Sequence, residues 1–229
     1  VFDIGITGHD WVLETNADVE EVLELVYSKS SMNPCKWVLA VPEDSPIRSP
    51  EDLRGKRIAT ELVNVTTRYL AARRIEAEVE FSWGATEAKT PDLVDAIVDI
   101  TETGRSLAAN KLRIVDVLLV TTTRLIANKE SLKDPSKRRK IENVAMLVEG
   151  ALVAQGMVGL KMNVSAADLP EVLAVLPAMK DPTVNHLRDK DWYAVETVLK
   201  ERQVRDLVPD LKRAGARDII EYPLNKVIY

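Results

Sequence analysis

The stretch Asp95-Ala-Ile-Val-Asp99-Ile-Thr101-Glu102-Thr103-Gly104-Arg105-Ser106-Leu107 concentrates more chemistry than any other part of the chain. An apolar β-type run carries a carboxylate near its end. A Thr/Gly/Ser loop follows at once and opens a helix. Backbone N–H groups at such a helix start, joined by the hydroxyls of Thr101, Thr103 and Ser106, can surround a phosphate. Gly104 lets the backbone approach an anion closely, and Asp99 can accept hydrogen bonds from ribose hydroxyls. Glu102 and Arg105 belong to the same loop. Asp95 is a weaker member, because side chains alternate along a strand and its carboxylate can point elsewhere. A capped helix after a buried strand accounts for the same spacing equally well.

No second constellation competes with this loop. His9 and His186 are too isolated to share a metal, His9 reading as a turn residue and His186 as an exposed strand residue. Cys35 is the only cysteine, which excludes an intramolecular disulfide and a cysteine metal cluster. It reads as a buried or loop thiol. No Ser/His/Asp or Cys/His set presents itself. Glu14, Asp18, Glu20, Glu21 and Glu24 are spaced as the solvated face of a helix.

A strand-end loop needs a sheet to hold it, and the first half of the chain alternates strand and helix signals. Val1 to Thr7 reads as a strand, Trp11 to Tyr27 as a helix, Trp37 to Val41 as a strand stopped by Pro42. Ser49-Pro50-Glu51-Asp52 has the N-cap, proline and acids of a helix start. Strands are expected at Lys56–Thr60, Ala77–Ser82 and Asp95–Ile100, helices at Asn64–Arg74 and from Arg105, and a long β-rich run over Leu112–Asn128. This alternation predicts parallel sheets that bind ligands at the carboxyl ends of their strands. A basic segment from Asp134 opens a helix running to about Gln155. From Gly159 the order becomes βαββαβ, the ferredoxin-like arrangement, with Gly215 at a helix stop.

Hydrophobic residues are 46% and charged residues 29% of the chain, enough to bury a real core. The net charge of -5 argues against a nucleic-acid partner. No apolar run approaches the ~20 residues that span a bilayer, and no secretory signal is found, so a cytoplasmic location without membrane attachment is expected.

Several of these stretches together resemble the ATP phosphoribosyltransferases. Ile97, Asp99, Ile100, Thr103, Gly104 and Leu107 match the family's loop motif, with Ser106 where the family usually has Thr. Upstream, the family has a Glu, five residues and a Gly, whereas here four residues separate Glu87 from Asp92, so Glu87 is not assigned. Asp3-Ile-Gly-Ile-Thr-Gly-His-Asp10, Arg57-Ile-Ala-Thr60-Glu61 and Thr123-Arg-Leu-Ile-Ala-Asn128 are similar to the family's other strand ends. Leu176-Pro-Ala-Met179-Lys-Asp-Pro182-Thr183, Trp192 and Leu211-Lys-Arg-Ala-Gly215-Ala216 resemble the regulatory module of its long, histidine-regulated form.

The resemblance implies an α/β fold: a two-lobed, periplasmic-binding-protein-like catalytic core followed by a ferredoxin-like regulatory domain. It places residues 1–45 and 123–158 in the first lobe, 46–122 in the second, and 159–229 in the regulatory domain. It implies a Mg²⁺-dependent glycosyltransferase of histidine biosynthesis that moves phosphoribosyl from phosphoribosyl pyrophosphate (PRPP) to N1 of ATP, releases pyrophosphate and is inhibited by L-histidine. No nucleophilic side chain is required. PRPP is expected at Asp95, Asp99 and Thr101 through Ser106, and ATP at Asp10, Trp11, Thr60 and Glu61. Asp10 reads equally as an N-cap, and Trp11 as a staple at a helix start. Histidine is expected near Asn163, Met179, Thr183 and Asp218, with Asn163 standing where relatives can have Asp. A homo-oligomer, dimer to hexamer, is implied. The chain begins at Val1 inside a strand, where the family has a further N-terminal segment that helps hold ATP. The alternative is a non-catalytic small-molecule-binding or regulatory relative without a complete ATP site.

Overall fold

The computed structural model describes residues 2–27, 32–177 and 181–229. They form two compact units, Val1–Ala145 and Met146–Tyr229. The first unit holds two sheets, and the second holds one.

The five-stranded sheet of the first unit is built on β3 (Cys35–Pro42), whose run from Trp37 to Val41 is buried on both faces. Trp37, Leu39 and Val41 pack with Leu53, Ile58 and Leu70 on one side. Val38 and Ala40 pack with Ala59, Ile97 and Leu107 on the other. Numbering the later strands β4 (Arg57–Thr60), β5 (Glu78–Phe81), β6 (Ala96–Thr101) and β7 (Leu112–Thr121), the order is β5-β4-β6-β3-β7. Only the β4–β5 and β4–β6 pairs are parallel, while β3 runs antiparallel to β6 and β7. The expected parallel sheet is therefore a mixed one. β3, which falls within the stretch read as first lobe, lies at the heart of this sheet because its two apolar faces need cover on both sides.

The three-stranded sheet has the order β1-β8-β2, all antiparallel, with β1 (Ile4–Gly8), β2 (Glu20–Leu25) and β8 (Thr123–Ala127). Here one expectation fails. Trp11 to Tyr27 is not a single helix but α1 (His9–Thr15) followed by β2. Asn16 takes the left-handed conformation, φ 48° and ψ 45°, and ends α1. A bulge between Glu21 and Leu23 breaks the strand's period of two, and this leaves an apolar spacing that mimics a helix. The acids read as a solvated helix face are distributed accordingly. Glu21 meets His9 and Arg124, Glu24 meets Arg124 and Thr122, and Glu14 is buried. His9 is the first residue of α1 rather than part of a turn.

α2 (Val63–Ala72) and α3 (Arg105–Ala109) complete the first unit, and α4 (Pro135–Ala154) carries the chain into the second. The second unit is β9 (Met157–Ser165), α5 (Leu169–Val175), β10 (Thr183–His186), β11 (Trp192–Lys200), α6 (Glu201–Arg213) and β12 (Arg217–Pro223). Its antiparallel order β10-β11-β9-β12 is the ferredoxin-like one. Val204, Leu207 and Leu211 recur at helical spacing on α6 and are buried with Leu160, Met162 and Val195. Gly215 at φ 100° stops α6. On the opposite face, Tyr222 lies over Gly159, where a Cβ would come within 2.2 Å of the ring.

Candidate phosphoribosyl site

β6 brings the loop to the carboxyl end of the parallel strands. Its buried Ala96-Ile97-Val98 run pairs with Ile58-Ala59-Thr60 of β4, so Thr60 and Thr101 leave the sheet on the same side. The turn after β6 closes on itself: the Gly104 N–H donates to Thr101 Oγ1 at 2.7 Å. Gly104 has φ 76°, and a Cβ there would meet only Ile114 Cδ1 at 3.8 Å. Its requirement is thus conformational rather than steric. Leu107, buried with Val38, Ala40 and Ile97, anchors the far end of the loop. Thr103, Arg105 and Ser106 remain exposed, and neither the Thr103 nor the Ser106 hydroxyl has a hydrogen bond among the described residues. α3 is only five residues long. The loop therefore presents local N–H groups and hydroxyls more than a helix dipole.

Asp99 sits two residues before the strand end and accepts the Ile100 N–H at 2.7 Å. Burial raises its pKa above the usual carboxylate range, the Ile100 amide opposes that rise, and the charges of Glu87 and Glu61 add to it. Two other carboxylates thus act on Asp99 through their charge, one from the turn after β4 and one from the turn after β5. Glu87, left unassigned by the sequence, belongs to this group. The loop that carries it is fixed by Lys89 Nζ, which donates to Ser82 Oγ at 2.6 Å, and by the Ser82–Thr86 hydroxyl pair at 2.9 Å. Gly84 and Ala85 take consecutive positive φ values of 73° and 49° beside Trp83, which is 81% exposed. The Gly-x-Thr spacing after β5 is the only sequence signal that marks this turn.

Asp95 does not join the loop. It lies before the first residue of β6, at the opposite strand end, where its carboxylate accepts the Arg57 N–H at 2.9 Å and Lys56 Nζ at 3.1 Å. These contacts hold its pKa low, the Arg57 amide most of all. Asp10 is 3% exposed. It accepts Trp37 Nε1 at 2.6 Å and the Thr121 hydroxyl at 3.0 Å, so both its oxygens tie α1 to the five-stranded sheet. It is not the N-cap of α1, a position that Gly8 holds. Thr60 is fully buried with its hydroxyl accepting the Leu62 N–H, while Glu61 is half-buried and Trp11 is 40% exposed.

In the second unit Asn163 Nδ2 donates to Asp218 Oδ2 at 2.9 Å. Asp218 has φ 49° within the β12 bulge. Thr183 is exposed at the start of β10, opposite Glu196, and lines a cavity of about 950 Å³ with Met157, Lys200, Gln203 and Tyr229. β11 separates Thr183 from Asn163, so the structure pairs Asn163 with Asp218 but not with Thr183. Met179 lies outside the described residues.

Comparison with known proteins agrees along the whole chain. The family profile described as ATP phosphoribosyltransferase matches residues 1–150, and that of the HisG C-terminal domain matches residues 154–226. The ATP phosphoribosyltransferase of Chlorobium phaeobacteroides is 60% identical over 99% of this chain and 77% of its own length. That of Desulforudis audaxviator is 61% identical over 100% and 79%. Among solved structures, the ATP phosphoribosyl transferase (HisG:HisZ) complex from Thermotoga maritima aligns with a TM-score of 0.56 and 32% identity, over 66% of this chain and 70% of that one. A Thr/Gly/Ser loop at the carboxyl end of a mixed sheet, a ferredoxin-like domain after it and matches that run in order along the chain lead to one conclusion: the chain belongs to the ATP phosphoribosyltransferase family, which transfers phosphoribosyl from PRPP to N1 of ATP in the first step of histidine biosynthesis.

Proposed function

We propose that the transfer takes place at the end of β6, with PRPP held by Thr101 through Ser106 and its ribose hydroxyls by Asp99. The observation that carries this reading is the closed Gly104–Thr101 turn, with Thr103, Arg105 and Ser106 exposed beside it at the strand end. In the reaction, pyrophosphate departs, positive charge develops at the anomeric carbon and adenine N1 attacks it. Asp99, Glu61 and Glu87 supply negative charge where that cation forms, so positioning and charge stabilisation carry the catalysis. ATP is proposed to bind beside the β4 end, with Glu61 and Trp11 as its contacts, while Asp10 and Thr60 shape the site from within.

Among the described residues no group of three metal-ligating side chains stands close enough to hold an ion unaided. Mg²⁺ is proposed to enter with PRPP, bound to its phosphates, where it would balance the charge of the departing pyrophosphate. L-histidine is proposed as an effector of the second unit, at Asn163, Asp218 and Thr183. A homo-oligomer, from dimer to hexamer, and a cytoplasmic location complete the reading. No described helix is long and apolar enough to cross a membrane.

The test is pyrophosphate release from ATP and PRPP with Mg²⁺, followed for the unaltered chain and for Asp99→Asn. Turnover that requires both substrates and is lost in the variant supports the assignment. Binding of PRPP without turnover would instead favour the non-catalytic relative. Light scattering reads the oligomer.

A further inference from the structure

We propose that Lys36, at the start of β3, contacts a phosphate group of the phosphoribosyl donor; this rests on the reading of the β6 loop given above. The antiparallel register opposes Lys36 to Thr101, Val38 to Asp99 and Ala40 to Ile97. Side chains of opposed residues stand on the same face of a sheet, with Cβ atoms about 4.5–5.5 Å apart. Val38, Ala40 and Ile97 bury against Leu107 of α3. Lys36, Asp99 and Thr101 therefore project on the α3 side, the side on which the loop leaves the strand.

Charge makes the placement informative. The charges of Glu61 and Glu87 both act on Asp99 at the end of β6, and Glu102 lies in the loop itself. A polyanionic donor entering such a site needs cations to offset that repulsion. Other basic side chains around this sheet are engaged elsewhere: Lys56 with Asp95 and Arg57 with Glu80 from the opposite strand ends, and Lys89 with Ser82 in the turn after β5. Lys36 is exposed, and its ammonium has neither ion pair nor hydrogen bond among the described residues. It stands one strand from the loop on a flexible four-carbon stem, the form in which lysine serves as a mobile point charge for phosphate. Arg105 is the loop's own cation; Lys36 adds a second from the neighbouring strand.

Two phosphates are chemically equivalent targets, the 5′-phosphate and the pyrophosphate, and ribose 5-phosphate and inorganic pyrophosphate separate them. The experiment is calorimetric titration of the full chain, of Lys36→Gln, of Lys36→Arg and of a Thr103→Ala/Ser106→Ala loop variant. The ligands are PRPP, the two fragments and ATP. Lys36→Gln is expected to weaken PRPP and one of the fragments by about tenfold, with ATP affinity and melting temperature unchanged. Lys36→Arg should restore most of that loss. PRPP affinity of Lys36→Gln within about twofold of the unaltered chain, alongside a clear loss in the loop variant, would overturn this inference and leave the loop reading standing. Undiminished PRPP binding by both variants would overturn both.

Discussion

At Gly104 one backbone angle decides whether the site exists. Its φ of 76° lies in the left-handed region, and the turn it makes places its N–H on Thr101 and starts α3 at the next residue. A β-branched side chain costs roughly 1–2 kcal/mol or more in that region. Gly104→Val should therefore open the turn and lower PRPP affinity by more than about tenfold, as read by calorimetry; undiminished affinity would remove the loop from the site. Asp99 raises a different question, because its environment disfavours the charge it needs. Burial, with Glu87 and Glu61 nearby, lifts its pKa above the unfolded value. Between those two values the folded chain binds the extra proton. Stability is then greatest at the acid end of that window and falls as pH rises through the folded pKa. Asp99→Asn removes this dependence. The variant should melt higher than the unaltered chain at neutral pH, with a flatter pH profile, while turnover falls by about a hundredfold or more. A lower melting temperature at neutral pH would show that Asp99 stabilises the fold instead. The raised pKa was not legible in the sequence, since it depends first on the burial of Asp99 in the fold and then on Glu87 and Glu61 arriving from two other turns.

Elements impose their own requirements, and Glu14 shows how far apart the partners can be. Its carboxylate accepts the N–H groups of Asn64 and Val65, each at 2.8 Å, at the start of α2, a helix whose N-cap residue Leu62 offers no side-chain hydrogen bond. Removing it leaves two part-buried N–H donors at the helix start without their carboxylate partner. Glu14→Ala is expected to cost about 1–2 kcal/mol in urea denaturation, with Glu14→Gln recovering part of the loss. No measurable change would mean that water satisfies those donors. The sequence places Glu14 on a solvated helix face because the partners that bury it are some fifty positions away in the chain. The same limit explains β2. Val19, Val22, Leu23 and Val26 fit a helical spacing, and only the pairing with β8 and the bulge at Val22 make the segment a strand. Where apolar periodicity is reinforced by a local signal, the reading survives. β6, α4 and the βαββαβ order of the second unit follow the expected pattern, with helices that begin at capping or acidic positions, although β12 ends at Pro223 rather than running on to Val227.

At the scale of the whole molecule, the proposed transfer site lies in the first unit and the proposed effector site in the second, so regulation by histidine would be a free-energy coupling between sites in different units. Such coupling is reciprocal. If histidine lowers PRPP affinity by some factor, PRPP must lower histidine affinity by the same factor. Thr183 is suited to probing it, being exposed at the cavity of about 950 Å³ and outside the buried core of its unit. Its hydroxyl has no hydrogen bond to another described residue, so Thr183→Ala removes a ligand contact without orphaning a partner. Histidine binding should weaken by about fivefold to tenfold, with PRPP affinity measured alone unchanged. The coupling factor itself should persist, because the variant alters how tightly histidine binds and not how the two sites sense one another. Calorimetric titration of PRPP alone, and of histidine with and without saturating PRPP, in the unaltered chain and in Thr183→Ala, measures all three quantities. Equal losses for both ligands would point to general damage. An unchanged histidine affinity would place the effector at the Asn163–Asp218 pair alone, two strands away across the sheet, and would detach the cavity from regulation.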